Sequence, residues 1–141
     1  MLYAMNIESG QSSNPFLKWA GGKTQLLRQF EPIFPKTFNR FFEPFLGSGA
    51  VFFFLRNQGK AENAFLSERN QELIDCYLGV RDHLAEIMEY LTWYRDFHSI
   101  DQYYEVRKLD PWGLSLPHRA ARLIYLNKTC FNGLYRVNKK G

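Results

Sequence analysis

An aromatic run, Arg40-Phe41-Phe42-Glu43-Pro44-Phe45, stops at Leu46-Gly47-Ser48-Gly49 and gives way at once to the apolar stretch Ala50-Val51-Phe52-Phe53-Phe54-Leu55. Residues 40–45 suit a buried strand and 50–56 a helix. The two glycines between them lack the Cβ that would keep backbone away from a ligand. This order of strand, glycine loop and helix restricts the chain to folds in which helices cover a sheet. A second short strand is expected near 64–67. It runs into Glu68, about twenty residues past the loop, where an acid can accept hydrogen bonds from ribose hydroxyls.

Two phosphate-binding alternatives fail on single residues. A nicotinamide-dinucleotide fingerprint needs a third small residue where Phe52 stands, so that helix and strand can close together. Gly22-Lys23-Thr24 imitates the end of a P-loop, but Leu17 occupies the place of its first glycine, and backbone there cannot wrap a phosphate.

The rest of the pattern is mainly helical. Leu26, Leu27 and Phe30 predict a short helix over 22–31, ended by Pro32. Asn70 is placed to cap a helix from Gln71 to about Val80. The next helix is expected to open at Asp82 and bury Leu84, Ile87, Met88 and Leu91. Ser99 and Gln102 form a capping box, Asp110-Pro111-Trp112-Gly113 is a turn, and Pro117 starts a helix running to about Lys128. The expectation is an α/β sheet domain over 1–80 and a mostly helical region over 81–141.

Charge is divided along the same line. All fourteen acidic residues lie at or before Asp110, with twelve basic ones, whereas Arg119, Arg122, Lys128, Arg136, Lys139 and Lys140 follow with no acid among them. A one-signed segment that also carries aromatics is the footprint of a phosphate-binding surface. The longest apolar stretch has six residues, far below the roughly 20 that span a bilayer. Residues 6–14 are polar and lack the core of a secretory signal, which points to a cytoplasmic protein. Cys76 and Cys130 have no metal-ligand spacing to each other or to His83, His98 and His118, so no metal is expected and both thiols are expected to be buried.

Four blocks then occur in order: Pro15-Phe16-Leu17-Lys18-Trp19-Ala20-Gly21-Gly22-Lys23; Phe42-Glu43-Pro44-Phe45-Leu46-Gly47-Ser48-Gly49; Asn70 with Leu73 and Ile74; and Asn127 to Asn138, Asn-Lys-Thr-Cys-Phe-Asn-Gly-Leu-Tyr-Arg-Val-Asn. Together they resemble the Dam-type DNA adenine-N6 methyltransferase family, whose members mostly methylate GATC in double-stranded DNA. The resemblance implies the N-terminal part of a Rossmann-like S-adenosylmethionine-dependent fold with a helical target-recognition insertion. Trp19 and Lys23 would line the methyl-donor pocket, Gly47 and Gly49 would lie beneath the methionine part, and Glu68 would take the ribose, where family members often carry Asp.

For DNA the resemblance assigns Lys18 to the outer base pair and Phe131, Asn132, Leu134 and Arg136 to a hairpin that enters the duplex. Arg119, Arg122, Lys128, Lys139 and Lys140, without acidic neighbours in their stretch, would meet phosphates. The family clamps a flipped adenine with an Asp-Pro-Pro-Tyr loop. That loop does not occur here: Asp110-Pro111 continues with Trp112-Gly113 and precedes the recognition block. The expectation is therefore a truncated chain with no catalytic residues of its own, inactive alone; whether a separate C-terminal half supplies the loop is left open by the sequence, and a non-catalytic DNA- or cofactor-binding remnant is the alternative.

Overall fold

The computed structural model describes Tyr3, Ala4, residues 12–133 and Tyr135. The chain divides into two compact units, Met1–Arg69 and Asn70–Gly141.

The first unit is built on β1 (Tyr3–Ala4), α1 (Leu27–Phe30), β2 (Phe41–Glu43), α2 (Ala50–Asn57) and β3 (Ala64–Leu66). The sheet order is β1-β3-β2. β2 runs parallel to β3, with Phe41 opposite Ala64, Phe42 opposite Phe65 and Glu43 opposite Leu66; β1 pairs antiparallel to β3. A parallel pair needs a crossover, and α2 supplies it. The two-residue strand β1 carries no sequence signal and was not expected. Alternation along β3 buries Ala64 and Leu66, and the same pleat puts Glu43 on the buried side. Phe42 and Phe65 stack on the other face with ring centroids 4.8 Å apart.

Two expectations are corrected here. The strand expected over 40–45 stops at Glu43, because Pro44 has no N–H for the ladder. The helix expected over 22–31 is a string of short turns, a 3-10 turn at Thr24–Leu26, α1, and a second 3-10 turn at Glu31–Ile33. Pro32 does not end it; it sits in the first turn of the last piece, where a missing N–H is tolerated.

The second unit comprises α3 (Gln71–Asp82), α4 (Leu84–Asp96), α5 (Ile100–Lys108) and α6 (Leu116–Thr129). Asn70 Oδ1 accepts from Leu73 N–H at 3.1 Å and Ser99 Oγ from Gln102 N–H at 3.0 Å, so both expected caps form. α6 is central and packs against α3, α4 and α5. Asp82 closes α3 instead of opening α4. The inward face of α4 is Ile87 and Tyr94, with Leu91 half-buried, and Leu84 and Met88, expected in the core, are 54% and 53% exposed. Tyr94 supplies the missing bulk by stacking on Tyr125 at 4.7 Å and bonding His118 Nε2 through its hydroxyl at 2.9 Å.

The boundary falls at residue 69, not 80, because α3 belongs with the helices. Gly79 allows this: a Cβ there would stand 2.8 Å from the Ala120 methyl and 3.1 Å from Ile87 Cδ1. Cys76 is fully buried, its Sγ 3.8 Å from Ala120 O, and burial pushes its thiol pKa far up; Cys130 is only half-buried. Among the described residues no helix is long and apolar enough to cross a membrane.

Replacing an exposed helical glycine by alanine gains about 1 kcal/mol of propensity. At Gly79 the collision with Ala120 opposes that gain, since overpacking costs about 1–3 kcal/mol. Gly79→Ala is therefore expected to lower stability, read as a fall in the urea midpoint. A rise would mean that α3 and α6 separate freely.

Candidate functional site

Because β2 and β3 are parallel, the loops that follow them leave the same end of the sheet. Leu46 N–H donates to Ser67 O at 2.9 Å, and Gly47 N–H donates to Glu68 Oε2 at 3.0 Å. Glu68 Oε1 accepts from Arg69 N–H at 2.8 Å. One carboxylate thus laces both loops. Gly47 has φ 52°, a left-handed conformation that strains any side chain, and a Cβ there would lie 3.6 Å from Trp19 Cδ1. Gly49 is buried as the N-cap of α2, its carbonyl accepting from Phe53 N–H at 2.9 Å.

The segment Trp19–Lys23 lies against this loop. Gly22 N–H donates to Trp19 O at 3.0 Å, and a Cβ on Gly22 would meet Trp19 O at 3.1 Å and Ser48 Oγ at 3.4 Å. A recess results, with Trp19, Lys23, Glu43, Gly47 and Glu68 on its walls. The structure brings Trp19, Lys23, Gly47 and Glu68 to this one recess, while Gly49 lies outside the lining. Lys18 is exposed on the same segment.

Glu43 was noted in the sequence only for its place before the loop. It is 8% exposed, and its Oε2 has no hydrogen-bond partner among the described residues. Burial pushes its pKa up to about 7, against the opposing pulls of the Lys23 charge and the Phe52 backbone N–H. A buried acceptor without a donor costs about 1–3 kcal/mol, a cost that a cationic ligand group removes. S-adenosylmethionine fits this donor set: it carries an ammonium for Glu43 and a carboxylate for Lys23.

The helical unit places the expected DNA residues in three ways. Arg119 and Arg122 turn inward. Arg122 is 2% exposed and donates to Glu72 Oε2, Val106 O and Arg107 O at 3.0, 3.1 and 3.0 Å. Arg119 pairs with Asp75, donates to Pro111 O at 2.8 Å and Leu114 O at 3.1 Å, and lies 4.8 Å over the Trp112 ring. Both guanidiniums close the helix packing, which corrects the expectation that they meet phosphate: their acidic partners come from α3, not from their own stretch. Glu72 answers to the same burial, which raises its pKa against the lowering charges of Arg122 and Arg119.

Lys128 is exposed at the end of α6. Phe131 is 89% exposed on the 3-10 turn Phe131–Gly133, with Asn132 beside it at φ 57°. The buried Asn127, to which the sequence reading gave no role, holds this turn by donating to Gly133 O at 3.1 Å. Leu134, Arg136, Lys139 and Lys140 lie outside the described residues.

The sequence profile of the D12 class N6 adenine-specific DNA methyltransferase matches residues 19–141. The chain belongs to this family. It is similar to the type II methyltransferase M.MjaIII of Methanocaldococcus jannaschii, 42% identical, with 90% of this chain matching 49% of that protein. The type II methyltransferase M1.LlaDCHI of Lactococcus lactis subsp. cremoris is also 42% identical over 89% of the chain and 44% of its own length. The DNA adenine methylase of Haemophilus influenzae is 35% identical over 89% and 44%. The D12 chain thus spans about half the length of the curated relatives it matches.

Glu43 gives the methyltransferase chain a pH signature. Its pKa rises from 4.5 in a solvated chain to about 7 when folded, so the folded state holds the proton more tightly. The ligand-free chain therefore loses stability as pH rises between those two values. Urea midpoints at about pH 5 and about pH 8 should differ less in Glu43→Gln, which cannot ionise, than in the unaltered chain. An equal fall in both would put the titration elsewhere.

Proposed function

We propose that the recess holds the methyl donor of a site-specific DNA adenine-N6 methyltransferase, and that the strand, loop and helix around it are the first part of a Rossmann-like S-adenosylmethionine-binding fold. The observation that carries this reading is the unpartnered Glu43 oxygen on a wall shared with Lys23, in a chain of the D12 family. Glu43 accepts the ammonium of the donor, Lys23 meets its carboxylate, Trp19 forms an apolar wall and Glu68 takes ribose hydroxyls. When bound, S-adenosylmethionine supplies a methyl group activated on sulfonium.

Double-stranded DNA is the proposed substrate, with GATC as the site. Phe131 enters the base stack, Asn132 and Arg136 read base edges, and Lys18 meets the outer pair. Lys128, Lys139 and Lys140 contact phosphate. Leu134 belongs to the same reading segment. The adenine amine is a poor nucleophile and needs a clamp, and no Asp-Pro-Pro-Tyr occurs in these 141 residues. A further polypeptide segment therefore completes the active site.

The 141-residue chain alone is expected to transfer no methyl groups, since positioning of this kind supplies roughly 7–11 kcal/mol of a barrier. Radiolabelled donor with a GATC duplex checks this, and N6-methyladenine made by the purified chain would refute it. In an enzyme completed by a family C-terminal half, Arg136→Ala should narrow the affinity ratio between GATC and a one-base variant. Titration with S-adenosylhomocysteine should weaken in Glu68→Ala; an equal affinity would remove the ribose role.

A further inference from the structure

The turn that carries Phe131 is held from both sides. Before it, Asn127, 1% exposed, grips Gly133 O at 3.1 Å, and Gly133 N–H returns to Cys130 O at 3.1 Å. After it, Tyr135 meets two guanidiniums: Arg107 Cζ is 5.3 Å from its ring centroid and Arg122 Cζ 6.0 Å, with Arg122 Nη2 3.4 Å from its hydroxyl. Neither guanidinium is a loose surface charge. Arg122 is fixed by Glu72 and by the last carbonyls of α5, and Arg107 donates to Tyr103 Oη at 3.0 Å. The chain therefore leaves the turn pinned to the packed face of α5 and α6, while the Phe131 ring stays in water.

We propose that Tyr135 is a positioning residue for DNA recognition, its ring clasped by Arg107 and Arg122 so that Phe131 is presented at a fixed place. This rests on the proposed insertion of Phe131 into the base stack. The cation–π geometry names the working part as the ring, not the hydroxyl, whose contact with Arg122 is long. It also explains why α6 buries an arginine: Arg122 joins the α3 and α5 contacts to the segment that meets DNA.

The test uses the full chain, S-adenosylhomocysteine, and a duplex with 2-aminopurine replacing the adenine of GATC, whose fluorescence rises on unstacking. Tyr135→Ala should weaken duplex affinity about threefold to tenfold, the scale of a lost cation–π contact, and dim the signal at saturating protein. Tyr135→Phe, which keeps the ring, should restore both. Arg107→Lys keeps the charge without the planar stack and should fall between them, a second route if Tyr135→Ala folds poorly. Binding of S-adenosylhomocysteine should be unchanged in all three. If Tyr135→Ala and Arg107→Lys match the unaltered chain while Phe131→Ala loses the signal, Tyr135 has no positioning role and the insertion reading stands. If the signal survives Phe131→Ala, or never rises, the insertion reading falls and the role of Tyr135 with it.

Discussion

The parallel pairing of β2 with β3 is the constraint on which the recess depends. Antiparallel strands would send the glycine loop and Glu68 to opposite ends of the sheet; parallel ones deliver them side by side. Everything local follows from that adjacency. The Gly47 amide finds the Glu68 carboxylate, the left-handed turn at Gly47 favours glycine, and Trp19 Cδ1 stands 3.6 Å from where a Gly47 Cβ would be. Register completes the arrangement. Glu43 opposite Leu66 is turned to the buried face at the last position of the strand, where the chain opens into the loop.

The helical unit solves a different problem, the burial of charge. Two arginines of α6 and two acids of α3 pair in its interior, Arg122 with Glu72 and Arg119 with Asp75. Ion pairs of this kind add little net stability over an apolar core, but removing one partner costs about 3–5 kcal/mol because the other is left stranded. Their effect is to fix register. The alignment of α6 with α3 that pairs both acids is also the one in which Gly79 closes onto Ala120.

Local chemistry was the legible part of this chain. Asn70 and Ser99 cap their helices by accepting from backbone N–H groups three residues on, and both caps stood in the sequence. Arg119 and Arg122 were misread because charge was counted along the chain, whereas Asp75 lies 44 residues before Arg119 and Glu72 lies 50 before Arg122. Leu84 and Met88 were placed in the core because several faces of α4 are apolar, and only the tyrosines of α4 and α6 decide which one turns inward. Glu43 escaped for the same reason: a carboxylate in an aromatic strand gives no sign of burial until β3 and α2 enclose it.

Phe131 keeps 89% of its surface in water at the first position of its 3-10 turn. A ring held this way is stored hydrophobic free energy, roughly 1.5–3 kcal/mol on full burial. Prising apart one step of a duplex takes a few kcal/mol. The two magnitudes are close, so under the proposed insertion a single exposed phenylalanine would offset much of the unstacking and leave the remainder to charge. A duplex already weakened at that step, by a mismatch or a lost base, should therefore be gripped more tightly than an intact one of the same sequence.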